Sequence, residues 1–214
     1  MRVKYLILPV LLFHITLVVS AQHKNGSFSL QPKIGMASST FTGDDINGCK
    51  TKVGFTIGGD VEYQCNPWLG LSCGVLYTNE GAKIKNTESI GLNNASIKTN
   101  YLNIPIVMNF YVAKGLAFKA GLQPGILLSA KIHAKVADVK ASIDVGSSFH
   151  SLDMTIPVGV SYELHNIVLD GRYHFGLSKI ADYRGQLWKD VNLDSDPKMY
   201  NGFFTITIGY KFDL

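Results

Sequence analysis

The chain has 214 residues, of which 46% are hydrophobic and 17% charged, with a formal net charge of +4. A charged fraction below the roughly 25% of ordinary soluble domains, joined to that apolar content, excludes a disordered chain and argues against a basic nucleic-acid binder. The length fits a single domain.

At the N-terminus, Arg2 and Lys4 precede an apolar run from Tyr5 to Val19 that ends in the small residues Ser20 and Ala21. This is the layout of a secretory signal peptide, with Val19 and Ala21 at the minus-three and minus-one positions. Residues 1–21 are expected to be removed and residues 22–214 to form the mature domain. The loss of Arg2 and Lys4 lowers the formal charge to +2, too little to steer polyanions by net charge alone. No Cys stands at the cleavage point, so a lipid anchor is not indicated.

No later stretch reaches 18 consecutive apolar residues, which excludes a helical membrane protein on pattern. Alternation with period two appears instead, in eight segments divided by turn signals. The apolar face of the first runs Phe28, Leu30, Pro32, Ile34, Met36, and that of the second Val53, Phe55, Ile57, Val61, Tyr63. The third runs Leu69, Leu71, Cys73, Val75, Tyr77, with Leu76 out of phase, and the fourth Leu102, Ile104, Ile106, Met108, Phe110, Val112. Leu116 to Leu128, Leu152 to Tyr162 and Ile167 to Leu177 alternate in the same way, and Phe204, Ile206, Ile208, Tyr210 and Phe212 close the series.

Connections alternate in length. Short turns fall at Asn66-Pro67, Ala113 to Gly115 and His165-Asn166, and long loops run from about Ala37 to Lys52, Asn79 to Ser96, Ile132 to Ser148 and Lys179 to Asn201. Four long loops on one rim, with short turns and both termini on the other, predict an all-β fold: an eight-stranded antiparallel up-and-down transmembrane β-barrel of the outer-membrane type, with short periplasmic turns and four long surface loops. A secreted lipocalin-like barrel shares the strand count but would turn the apolar face inward around a ligand. Three features favour the membrane. The apolar faces are nearly uninterrupted over strand lengths that cross a bilayer. Phe28, Tyr63, Tyr77, Phe110, Phe149, Tyr162, Tyr210 and Phe212 lie toward strand ends, where a bilayer has its interfaces. The last alternating strand carries aromatics up to Leu214.

If the apolar face meets lipid, the other face fills the lumen. There Lys33, Lys119, Arg172 and Lys211 oppose Asp60, Glu62, Asp153, Glu163 and Asp170, and His174 joins the same face. An interior of eight strands is only wide enough for side chains, so these ten residues are expected to form an ion-paired polar network that plugs the barrel rather than a conducting pore. Pro105 cannot donate to a ladder, and a lumen-side bulge is expected there.

The stretch Tyr101-Leu102-Asn103-Ile104-Pro105-Ile106, followed by Gly121-Leu122-Gln123-Pro124-Gly125-Ile126-Leu127-Leu128-Ser129-Ala130-Lys131, resembles the central hairpin of PorT-like outer-membrane β-barrel proteins of the Bacteroidota. The Ser20-Ala21-Gln22 signal-peptide end and the closing strand are similar too, so the resemblance covers essentially the whole mature chain. It implies a small outer-membrane barrel. The namesake of the group is associated with protein export, and that role does not carry over residue by residue.

Catalysis is not expected. His150 and Ser151, with Asp144 or Asp138 nearby, stand near the long-loop rim, but neighbouring strand residues point to opposite faces, and neither G-x-S-x-G nor H-E-x-x-H occurs. Asp190, Asn192, Asp194 and Asp196 mimic calcium-loop spacing, yet Ser195 stands where Gly is needed and Asn201 where a bidentate Glu is needed. His23, His133, His165 and His174 are scattered without ligand spacing, so no metal or cofactor is expected. Cys49, Cys65 and Cys73 offer no clearly placed disulfide pair.

The expected function is that of a non-enzymatic structural or interaction protein of the cell envelope, embedded in the outer-membrane lipid bilayer and inserted by the barrel-assembly machinery. Alternatives are a surface binding or adhesion protein acting through its long loops on a protein or glycan partner, and an accessory component of protein secretion. No nucleic acid is expected among the partners.

Overall fold

The computed structural model describes residues 25–43, 49–84, 93–136, 139–182, 184–185 and 198–214, nearly all of them in antiparallel strands. In chain order these are β1 (Phe28–Thr42), β2 (Cys49–Asn66), β3 (Leu69–Ile84), β4 (Asn93–Asn103), β5 (Ile106–Ala113), β6 (Leu116–Val136), β7 (Val139–Asp144), β8 (Leu152–Leu164), β9 (Ile167–Gly176), β10 (Tyr200–Tyr210) and β11 (Phe212–Asp213). β4 with β5, β7 with β8, and β10 with β11 each form one stave, which reduces the set to eight. Each stave pairs with its neighbours in sequence, and β10 and β11 return to β1, with Lys33 opposite Gly209 and Ser29 opposite Asp213. The ring is therefore closed, with β1 joined both to β2 and to the β10–β11 stave. The expected eight-stranded up-and-down barrel is the fold.

Period-two alternation explains which way each side chain turns. Ile34, Met36, Phe55, Ile57, Val75, Leu122, Val160, Leu169, Ile206 and Ile208 are exposed on the outside, whereas Lys33, Asp60, Lys119, Asp170 and Arg172 are buried within. Such an inverted distribution fits a solvent of hydrocarbon rather than water. The tight turn between β8 and β9 uses His165 and Asn166 at φ of 49° and 70°, and Gly115 takes φ of 79° between β5 and β6. These are the left-handed conformations that two-residue hairpins demand.

Three sequence expectations need correction. First, the strands outrun the apolar segments: β1 reaches Thr42, β3 reaches Ile84, β6 reaches Val136, and β2 and β4 begin at Cys49 and Asn93. Much of what reads as loop is a sheet extension whose outer face is polar, so the contrast between faces that signals a strand is lost. Second, Pro105 makes no bulge. Cys73 opposite Ile106 and Leu76 opposite Asn103 keep one register across it, and the Gly74 amide donates to the Pro105 carbonyl at 3.1 Å. The wall simply lacks one donor there. An irregularity does occur nearby, between Asn100 and Tyr101 against β6, where Leu128 is the extra residue. Third, Phe149 does not lie at a bilayer interface but is buried at 4% exposure over the mouth of the barrel.

The expected signal peptide, the Asp190 to Asp196 stretch and Asp138 lie outside the described residues.

Candidate functional site

The lumen is filled in three polar tiers and an apolar cap. Near the short-turn end, Lys211 is the hub. Its Nζ lies 3.3 Å from Glu62 Oε2 and 3.4 Å from Glu163 Oε2, donates to the Tyr111 hydroxyl at 3.1 Å, and sits 5.5 Å from the centre of the Tyr111 ring. The Tyr111 hydroxyl in turn donates to Glu62 Oε1. These groups come from β2, β5, β8 and the residue between β10 and β11, so the tier ties four staves together.

The middle tier has five charges. Arg172 donates from Nε to Asp170 Oδ1 at 2.8 Å and from Nη2 to Asp170 Oδ2 at 2.7 Å, and Lys119 donates to that same Oδ2 at 2.8 Å. Lys33 pairs with Asp60, whose Oδ2 also lies 3.7 Å from Arg172 Nη2. Every member is buried, so the desolvation cost is offset only because each ion meets an opposite charge within hydrogen-bonding reach. His174 stacks on Phe203 with ring centroids 4.0 Å apart and an interplanar angle of 7°, and its Nε2 is 3.2 Å from Thr205 Oγ1. It borders the middle tier without joining its ion pairs.

Above lie Glu80 and Asp153, held by amides rather than by cations. Asn201 donates through Nδ2 to both carboxylates, Asn103 donates to Glu80 Oε1 at 3.3 Å, and Ser178 donates to Asp153 Oδ1 at 2.8 Å. Lys52 donates to the Glu80 carbonyl at 2.9 Å and to Asn79 Oδ1 at 2.7 Å. All ten residues picked from alternation thus face the lumen, Glu163 being the most accessible at 13% for its side chain. The ten-residue network omits Lys52 and also Glu80, which alternation sets on the polar face of its segment and which is fully buried. The signal for Glu80 was present, because it shares parity with Ser72 and Thr78 on β3. Lys52 carried no such signal, since it lies in a stretch that reads as loop.

Glycines give these charges room. A Cβ on Gly70 would collide with the Glu62 carboxylate and one on Gly74 with the Asp60 carboxylate. Over the top tier, Phe41, Ala82, Ala130, Val145, Phe149, Ile180, Ala181 and Met199 form the apolar cap, drawn from the strand extensions and from the segments around Gly146–Ser148 and Ile180. The cavity left among Lys33, Asp170, Arg172, His174 and Phe203 is about 10 Å³, room for one water at most.

Among the described residues no cluster of three or more His, Cys, Asp or Glu side chains could hold a metal ion. Ser151 is exposed, and Asp144 accepts from the Gly146 amide at 2.9 Å. No disulfide joins Cys49, Cys65 and Cys73, and Cys73 is exposed on the lipid-facing wall.

A family model described as an outer membrane protein beta-barrel domain matches residues 20–182, well over half of the chain. The chain belongs to the outer membrane protein beta-barrel domain family. It resides in the outer membrane. No curated protein sequence matches significantly. Among solved structures, Ail of Yersinia pestis, crystallised with the heparin analogue sucrose octasulfate, superposes with a TM-score of 0.51 at 18% identity, covering 88% of this chain and 100% of Ail. Neisserial surface protein A gives 0.49 at 14% identity, covering 86% and 97% of the two chains. OprG of Pseudomonas aeruginosa gives 0.44 at 12%, covering 89% and 97%. At these identities Ail supports the barrel fold of this family member and nothing finer.

Proposed function

We propose that this outer-membrane barrel is a non-enzymatic structural and interaction protein of the cell envelope, with a closed lumen and its recognition surface on the long-connection rim. The observation that carries this reading is the stacked interior: among the described residues three interlocked polar tiers and an apolar cap fill the lumen. A barrel so filled spends its interior on rigidity, and only its rims and its lipid-facing wall remain to meet other molecules. The deciding experiment is planar-bilayer conductance of the purified barrel. Silence across voltages supports the plug, and stepwise channels of uniform size would overturn it.

The finer assignments belong to the same reading. Residues 1–21 act as a cleaved signal peptide, the barrel-assembly machinery inserts the chain, and the short-turn rim with both termini faces the periplasm. Kinship with PorT-like barrels of the Bacteroidota is supported by the Tyr101 to Ile106 and Gly121 to Lys131 motifs. Mass spectrometry of the mature N-terminus checks the cleavage after Ala21, and an N-terminus at Met1 in the purified outer membrane would reject it.

Loop-borne adhesion to a protein or glycan is the second reading, favoured by the bound heparin analogue of Ail. An accessory part in protein secretion is the third, and rests only on the motif resemblance. Replacing residues 186–197 with a short Gly-Ser linker separates them from the first: loss of cell-surface binding with the heat-dependent gel shift intact favours adhesion, and accumulation of secreted proteins favours export.

A further inference from the structure

The outer face of the sheet extension carries a charge pattern that none of these roles uses. On β3 and β4, Asn79 lies opposite Asn100, and Asn100 lies opposite Ser129 of β6. The three side chains form a chain of hydrogen bonds around the wall, with Asn79 Nδ2 donating to Asn100 Oδ1 at 2.6 Å and Asn100 Nδ2 donating to Ser129 Oγ at 2.8 Å. Below this polar belt the outward residues are apolar, among them Tyr77, Leu102, Ile126 and Leu128. Above it they turn basic. Lys98 stands directly opposite Lys131, and Lys50 stands directly opposite Lys83, all four exposed.

Parity fixes their direction. Thr99, Ala82 and Ala130 are fully buried on the inner face, so their chain neighbours Lys98, Lys83 and Lys131 face outward, and a register shift between Thr51 and Thr56 frees Lys50 from the parity of buried Lys52 and sets it beside Lys83 on the outer face. Lys83 and Lys98 are diagonal neighbours across β3 and β4, which joins the two lysine pairs into one cluster. His133 lies two residues beyond Lys131 on the same face, and desolvation together with the fields of Lys98, Lys131 and Lys52 holds its imidazole below the ordinary range. Asp144, opposite Lys131, is the acidic neighbour in the register, and one of its oxygens already accepts from the Gly146 amide. Like charges directly opposite on neighbouring strands destabilise a sheet, and two such pairs side by side call for an anion between them.

We propose that Lys50, Lys83, Lys98 and Lys131 form a binding site for the phosphate groups of a lipid headgroup in the leaflet at the long-connection rim. The geometry selects a lipid over a soluble polyanion. The four lysines stand on the outer face of the wall, and across the polar belt Leu102 lies four residues below Lys98 and Tyr77 six below Lys83, about 13 and 20 Å along a strand. A molecule with phosphates above and acyl chains below that line contacts both surfaces at once. Calling that leaflet the outer one rests on the orientation given under the proposed function.

The test uses the mature barrel refolded into phosphatidylcholine vesicles with or without diphosphorylated lipid A, then extracted in mild detergent and assayed for retained lipid A by native mass spectrometry. Wild type should retain it, and K50Q/K83Q/K98Q/K131Q should retain about tenfold less while keeping its heat-dependent gel shift. If the quadruple variant does not fold, wild type extracted at about 0.5 M salt, where screening shortens the reach of each charge, must show the same loss. Equal retention by wild type and variant, or retention indifferent to salt, overturns the site. So does wild type that binds a soluble sulfated polysaccharide but not lipid A. Orientation is scored separately: with Cys49, Cys65 and Cys73 changed to Ser, K83C on intact cells should react with a membrane-impermeant maleimide. Failure there rejects the orientation and leaves the vesicle result standing.

Discussion

Arg172 and Asp170 sit two residues apart on the same strand and clasp each other through two parallel hydrogen bonds of 2.8 and 2.7 Å inside the barrel. Two residues is the spacing that puts both side chains on one face, so the pair is already oriented within β9 before neighbouring staves add Lys119 and Asp60. The strand thereby carries the centre of the network on its own backbone.

Removing one member of a buried pair leaves an uncompensated charge. Asp170→Asn should therefore destabilise the barrel by about 3–5 kcal/mol, read from urea unfolding in detergent micelles. The double variant D170N/R172Q should cost less than the sum of its two single changes, because the second substitution removes the charge that the first one orphaned. Additive losses would show that the two residues act independently.

Lys119→Ala removes the second cation on Asp170 and should lower stability without opening a conductance in planar bilayers, since Arg172 still fills the centre of the lumen. A large new conductance in this variant would overturn the description of the interior as a plug.

The cap makes a separate prediction. Phe149 is nearly fully buried and lies 6.1 Å, centroid to centroid, from Phe41. Phe149→Ala should cost about 3–5 kcal/mol and lower the temperature at which the gel mobility shifts. Limited proteolysis of the refolded variant should then begin near Gly146–Ser148, whereas wild type should resist there.

The legibility of this molecule follows its solvent. Where the outer face meets lipid and the inner face holds Lys33, Asp60 or Asp170, every second residue changes character, and parity alone assigns the faces. Above the lipid boundary both faces are polar or mixed, as at Lys50 to Lys52 and Ile97 to Thr99, and period two vanishes from the sequence while the ladder continues. The same blindness hid the cap. Phe41, Phe149, Ile180 and Met199 are scattered hydrophobics in stretches that read as loops, and only the tertiary fold gathers them. Pro105 misled for a different reason: a missing donor can be absorbed by a wall whose register is held on both sides.

Glycines facing the lumen give a sharper check on the packing. Gly74→Ala would push a methyl group into the Asp60 carboxylate and displace it from Lys33 and Arg172. The substitution is chemically mild, yet a loss of about 1–3 kcal/mol is expected from overpacking. Wild-type stability of G74A in the same unfolding assay would show that the Asp60 carboxylate and the Gly59 carbonyl leave room for the methyl group.

Thiol chemistry can map the membrane belt. In the refolded barrel, Cys65 beside the short turn should react with a hydrophilic maleimide, and Cys73 on the apolar wall should stay unmodified until the barrel is unfolded by heat. Equal labelling of both before heating would mean that water reaches the wall at Cys73.

The seam between β1 and β10 has a consequence for how the molecule is made. The stretch that closes the ring leaves the ribosome after the other staves, and its partner β1, with the Leu214 amide bonded to the Phe28 carbonyl, leaves before them. No partial chain can close, so an unfinished molecule carries two open edges and an apolar exterior in water. Birth and burial are thus separated in time, and the chain must be kept apart from its own copies until the final strand arrives.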